Sequence, residues 1–243
     1  EPEVIINRKN VIGEGILWHP DEKCLYWTDI PRCKLFRHKP STGETREWET
    51  GKPVGGFTIH QDGRLLLFMG EGAVKLWTNG TFETVIESIP EMKRNRFNDV
   101  VADPLGRVFC GVMSTEKSAG WVYRLDPDKT LTKIIKETGT ANGMGFSKDE
   151  NRLFFSDSRK SNITLFDYHK TRGTISNSRI VFQTLRSESG SPDGLCLDSD
   201  DNIWMGLWEG SAILQINQNG TELQRIDFPA KKITTLCFGG ENL

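Results

Sequence analysis

Short apolar runs alternate with polar clusters along the whole chain. The runs are rich in β-branched and aromatic residues, and Gly, Asp, Asn and Pro gather between them. This texture predicts strands joined by tight turns, with little of the 3.6-residue periodicity of an amphipathic helix. One unit recurs: a short strand, a polar turn and a second strand. It reads "GILWHPDEKCLYWTD" (15–29), "GFTIHQDGRLLLFMG" (56–70), "DVVADPLGRVFCGVM" (99–113), "GMGFSKDENRLFFSD" (143–157) and "GLCLDSDDNIWMGLW" (194–208), and the chain ends on "TLCFGGENL".

The second strand of each unit opens at Leu25, Leu65, Val108, Leu153, Ile203 and Leu243, giving spacings of 40, 43, 45, 50 and 40. Two further strand-like runs lie between successive hairpins, each pair split by a turn such as Asn-Gly or Asp-Pro-Asp. Four strands in each unit of this length predict a β-propeller, whose blades must stack to bury their faces. The expectation is a single all-β domain over residues 1–243, a six-bladed propeller of four-stranded antiparallel blades. Five repeats are complete and the last blade is incomplete, with Val4, Ile5 and Ile6 as candidates for its outer strand.

Composition narrows the function. A formal net charge of -2, with 26% charged residues, gives no basic footprint for nucleic acid or an anionic membrane. No apolar run approaches the roughly 20 residues needed to span a bilayer. The five cysteines form no CxxC pair, and the four histidines show no HxH or HExxH spacing, so neither a zinc finger nor a histidine-based metal site is expected. Free cysteines inside apolar runs point to a reducing cytoplasm. The sequence gives no reading of the oligomeric state.

The repeat itself points to chemistry. Four residues before the end of each first strand stand Glu14, Gly55, Asn98, Asn142, Asp193 and Thr234. First strands line a propeller's channel, so equivalent positions converge at one height around one axis. Two carboxylates and two amides would then form an oxygen-only site, suited to a hard divalent cation. Turn chemistry explains any one of these residues alone, and Pro-Asp-Gly around Asp193 is a strong turn signal. The same residue types at one repeat position favour a site.

At these residues the chain resembles the gluconolactonase/regucalcin (senescence marker protein 30)/luciferin-regenerating enzyme family of six-bladed propellers. The stretches that carry the resemblance are "GEGILWHP", "NRFNDVVADPLGRVFCGVM", "TANGMGFSKDENRLFFSDS", "SPDGLCLDSDDNIWMGLW" and "TLCFGGENL". The resemblance implies one divalent metal held by Glu14, Asn142 and Asp193, with Asn98 as a fourth ligand or a contact to substrate. Ca²⁺ is the expected ion, ahead of Zn²⁺, Mn²⁺ or Mg²⁺. Arg96 resembles the family's substrate-binding arginine, and Glu116 falls where some members contact a sugar hydroxyl. Two departures stand out: Ile16 where the family usually has Pro, and Val100 where many members have Gly.

The activity implied is hydrolysis of a small-molecule sugar lactone, with the metal polarising the carbonyl and Asp193 as catalytic base. Arg96 and Asn98 would stabilise developing charge or orient the substrate. No GxSxG or triad pattern competes. Two alternatives remain open: a phosphotriesterase like diisopropylfluorophosphatase, and a non-catalytic calcium-binding regulator.

Overall fold

The computed structural model describes residues 2–185 and 189–240. Twenty strands form five antiparallel four-stranded sheets, each built from four strands consecutive in sequence. The first blade is β1 (Gly13–His19), β2 (Cys24–Asp29), β3 (Lys34–Lys39) and β4 (Glu44–Glu49). The second is β5 (Val54–Ile59), β6 (Leu65–Met69), β7 (Val74–Thr78) and β8 (Thr81–Ile86). The third is β9 (Phe97–Ala102), β10 (Val108–Val112), β11 (Gly120–Leu125) and β12 (Leu131–Thr138). The fourth is β13 (Ala141–Phe146), β14 (Arg152–Asp157), β15 (Asn162–His169) and β16 (Thr174–Gln183), and the fifth is β17 (Ser191–Leu197), β18 (Ile203–Trp208), β19 (Ala212–Ile216) and β20 (Glu222–Asp227). The all-β reading holds, and each repeated hairpin is the inner half of one blade.

The cores lie between blades. Tyr26 and Leu35 pack on Leu67 and Trp77 between the first and second blades. Phe68 meets Phe97 edge-on at 5.3 Å between the second and third. Phe109 and Val122 pack on Leu153 and Phe155, and Phe154 and Ile163 pack on Met205 and Leu214. A four-stranded sheet has two apolar faces, so each blade needs a neighbour on both sides.

The expected count of six blades is overturned. Five sheets form, and residues 229–240 after β20 carry no strand. This stretch threads between the fifth and first blades by single contacts. Gly194 N donates to Thr234 O at 2.7 Å, Thr234 Oγ1 donates to Gly13 O at 2.6 Å, and Phe238 packs edge-on against Trp204. It lies along β17 with no further strand hydrogen-bonded to it, and a lone segment cannot build a sheet. Val4, Ile5 and Ile6 form no strand either, and Val4 and Ile5 are exposed. Leu243, the expected opening of the next hairpin, lies outside the described residues.

Candidate active site

The five innermost strands share an irregularity. Register shifts fall at Glu14/Leu17 in β1, Val54/Gly56 in β5, Pro192/Leu195 in β17 and Ala141/Met144 in β13. In β9 the shift lies between the partners of Cys110 and Val112, that is between Phe97 and Val100. A bulge adds backbone to one strand and re-aims the side chains within it. Glu14, Asn98, Asn142 and Asp193 all sit in these bulges.

Close approach of the innermost strands requires glycine immediately after the bulged residue. A Cβ on Gly143 would lie 2.3 Å from Leu195 N, and one on Gly194 would lie 2.7 Å from Thr234 O. Gly15, Gly56, Gly143 and Gly194 occupy this position in four repeats, whereas the third carries Asp99. Asp99 lines a cavity of about 110 Å³ together with Gly15, Gly56 and Gly143. Burial pushes its carboxyl up to about 7, against the opposing charge of Arg96.

The four repeat-equivalent side chains converge on one cavity of about 270 Å³, with Arg96, Ser158, Arg159 and Trp208 also in its wall. All four are buried, Asp193 almost completely at 1% exposure. Three of them, Asn98, Asn142 and Asp193, join Arg96 in a relay of hydrogen bonds. Arg96 Nη1 donates to Asn98 Oδ1 at 2.6 Å and to Phe97 O at 2.9 Å. Asn98 Nδ2 donates to Asn142 Oδ1 at 2.6 Å and to Ala141 O at 2.9 Å. Asn142 Nδ2 donates to Asp193 Oδ1 and to Ser158 Oγ, the latter at 2.6 Å, and Ser158 Oγ donates to Pro192 O at 2.6 Å. The remaining two repeat positions contribute nothing to the cavity: Gly55 has no side chain, and Thr234 turns its hydroxyl to Gly13 O.

Glu14 stands apart from this relay. Its Oε2 is buried with no hydrogen-bond partner. Burial drives its pKa well up, and the charges of Asp193 and Asp99 push it further. Asp193 is raised well up by burial first and by Asp99 second, with Arg96 and the Asn142 amide opposing. Arg96 is itself held below the usual arginine range by burial, against the pull of Glu14, Asp99 and Asp193. The result is three desolvated carboxylates beside one cation, of which Glu14 and Asp193 line the cavity.

Arg96 lies in the cavity wall as the sequence implies, whereas Glu116 is exposed and outside it. Sequence reading did not single out Asp99, Ser158 or Arg159. Asp99 had one legible signal, the break in the glycine column. Ser158 and Arg159 follow the second strand of the fourth blade and belong to no repeat column. Trp208 lines the cavity, with the Lys232 ammonium over its ring at 4.3 Å.

No group of three or more His, Cys, Asp or Glu side chains suited to a metal occurs among the described residues. The donors here are two carboxylates and two amides. The orphaned Glu14 oxygen and the two buried carboxylates fit a divalent cation with a preference for oxygen. No helix among the described residues is long and apolar enough to cross a membrane.

The chain is similar to known proteins. Pentonolactonase XacC of Haloferax volcanii is 39% identical over 232 residues, spanning 96% of this chain and 79% of that protein. Regucalcin of Danio rerio is 32% identical, spanning 99% and 83%. Among solved structures, a luciferin-regenerating enzyme superposes with a TM-score of 0.90 at 27% identity, covering 97% of this chain and 82% of that one. Residues 12–243 match the family described as SMP-30/Gluconolactonase/LRE-like region, and the chain belongs to that family.

Proposed function

We propose that the protein is a lactonase that opens a sugar lactone by attack of water. The observation that carries this reading is the convergence of Glu14, Asn98, Asn142 and Asp193 from four repeats on one cavity, with a Glu14 oxygen buried and unpartnered. The likeness to a pentonolactonase across 96% of this chain supports it.

Glu14, Asn98, Asn142 and Asp193 would hold one divalent cation, Ca²⁺ ahead of Zn²⁺, Mn²⁺ or Mg²⁺. When bound, such an ion supplies Lewis-acid polarisation of the lactone carbonyl. Asp193 takes a proton from the attacking water as the water oxygen bonds to the carbonyl carbon. The ring C–O bond then breaks, and the proton passes to the ring oxygen, leaving a hydroxy acid. Burial suits Asp193 to this task, because it raises the carboxyl's proton affinity above its usual value. The Asn142 amide commits Oδ1 of Asp193, so Oδ2 is the oxygen assigned to the proton. Arg96 commits Nη1 to Asn98 and Phe97, which leaves Nη2 and Nε to donate to the carbonyl oxygen as negative charge develops.

The test is metal analysis of the purified protein coupled to turnover of aldonolactones with Ca²⁺, Zn²⁺, Mn²⁺ and Mg²⁺. Asp193→Ala is expected to lower kcat by about a thousandfold or more, the scale of losing a general base together with a ligand. Undiminished turnover in both Asp193→Ala and Glu14→Gln would overturn the assignment. Tight Ca²⁺ binding without hydrolysis of any lactone would favour a calcium-binding regulator, as one fold relative from Agrobacterium tumefaciens is described as a calcium-binding protein, regucalcin.

A further inference from the structure

Two arginines line the active cavity, and they are used differently. Arg96 is committed: it donates to Phe97 O and Asn98 Oδ1, and its charge acts on Glu14 and Asp193. Arg159 makes no hydrogen bond or ion pair with any described residue, and it is not among the charges that act on Asp193. The next residue, Lys160, is fully engaged, with its ammonium 3.7 Å from Asp157 and donating to Glu137 O at 2.7 Å.

The base of Arg159 is nevertheless fixed. Ser158 N donates to Thr140 O at 3.1 Å, and the Ser158 hydroxyl joins Asn142 to Pro192 O. The loop before β13 passes so close that a Cβ on Gly139 would lie 2.6 Å from the Arg159 Cβ. Arg159 therefore stands on the scaffold that holds Asn142, an exposed residue of the cavity wall with its guanidinium uncommitted.

An uncommitted guanidinium is poorly matched to a neutral polyol. Its planar fork suits a carboxylate or a phosphate, to which it donates two parallel hydrogen bonds. The two buried acids of the same cavity are assigned to the divalent cation, which leaves the Arg159 charge for a group on the substrate. We propose that Arg159 is a specificity residue that binds an anionic group remote from the lactone carbonyl, making the substrate a sugar lactone with a terminal carboxylate or phosphate. This deepens the lactonase reading and rests on it.

The experiment compares kcat/KM within matched pairs. Glucono-1,5-lactone is set against 6-phosphoglucono-1,5-lactone, and glucono-1,4-lactone against glucaro-1,4-lactone. The anionic member of at least one pair is expected to lead by about tenfold, the scale of one charge-assisted contact. The pair that shows the lead separates phosphate from carboxylate. Arg159→Gln should remove that lead, mostly through KM, and Arg159→Lys should restore part of it. Arg94 is the control. It is exposed in an adjoining cavity of about 600 Å³ that shares Arg96 and Met113 with the first. Turnover of the neutral lactones with no anionic lead overturns the Arg159 assignment and leaves the lactonase reading standing. A lead abolished by Arg94→Gln and untouched by Arg159→Gln overturns it equally. No turnover of any of these lactones overturns the lactonase reading and the Arg159 assignment together.

Discussion

Two pairs of buried acids do opposite things. Asp29 and Asp157 end the second strands of the first and fourth blades. Asp29 accepts from Val11 N at 3.0 Å and Ile12 N at 3.4 Å, and Asp157 accepts from Gly139 N at 2.7 Å and Thr140 N at 2.9 Å. The donors stand at the same distance before their channel strands, so the two acids are one device used twice. Each carboxylate ties the entrance of a channel strand to the second strand of its blade. Glu14 and Asp193, one strand inward, have few such donors: one Glu14 oxygen has none. Burial alone therefore does not mark a functional acid. What separates the pairs is whether backbone N–H groups satisfy the charge. A carboxylate desolvated without donors is retained at a cost to stability, and that cost points to binding or catalysis.

The largest effect that would break this comparison lies at the satisfied pair. Asp157→Ala removes acceptors from Gly139 N, Thr140 N and Lys160 N, the last at 3.2 Å. Leaving buried donors without a partner costs about 1–3 kcal/mol each, so a loss of about 3–5 kcal/mol in urea unfolding is expected. Asp157→Asn keeps one acceptor and should lose about half as much. A loss below about 1 kcal/mol in Asp157→Ala would show that Asp157 is no structural tie.

At the unsatisfied pair the sign reverses. Glu14→Gln replaces a buried, repelled carboxylate with a neutral amide of similar shape. In chelator at pH 7 the variant is expected to gain on the order of 1 kcal/mol over the native chain. Added Ca²⁺ should then stabilise the native chain in proportion to the logarithm of its concentration and leave the variant unchanged. A variant that unfolds earlier than the native chain in chelator would place Glu14 with Asp157 as a structural acid.

The blade pattern was legible because strands alternate with turns at a repeating interval. The openings at Leu65, Val108 and Ile203 coincide with the starts of β6, β10 and β18. The same column that marks the blades brought Glu14, Asn98, Asn142 and Asp193 together. The blade count was not legible. "TLCFGGENL" has the composition of an opening hairpin, but strand formation depends on a partner, and residues 232–240 make only isolated contacts with β1, β17 and β18. The bulges were equally hidden, because a register shift leaves no mark on alternation as short as this. Arg159 escaped because nothing in its local sequence separates a wall residue from the engaged Lys160 beside it.

The smallest effect tests the comparison within a single strand. Asp193 lies inside β17, and Asp198 follows the strand's last residue, Leu197. Asp198 is amply satisfied. Its oxygens accept from Asp200 N, Asn202 N, Asn202 Nδ2, Trp204 Nε1 and Gln215 Nε2. Burial raises its pKa, but the donors from Trp204, Asn202 and Gln215 outweigh that and hold it at about 2. A carboxylate depressed in the folded state stabilises the fold above its unfolded value near 4, and the benefit is lost as pH falls through about 2. Partial exposure screens the interaction, so the expected contribution is about 0.5–1 kcal/mol. The native chain should thus lose about that much more stability than Asp198→Asn between pH 5 and pH 2, read as the difference of two urea midpoints. Parallel curves for the two proteins would mean that the five donors confer no preference for the charged form. Donor count would then no longer separate Asp198 from Asp193.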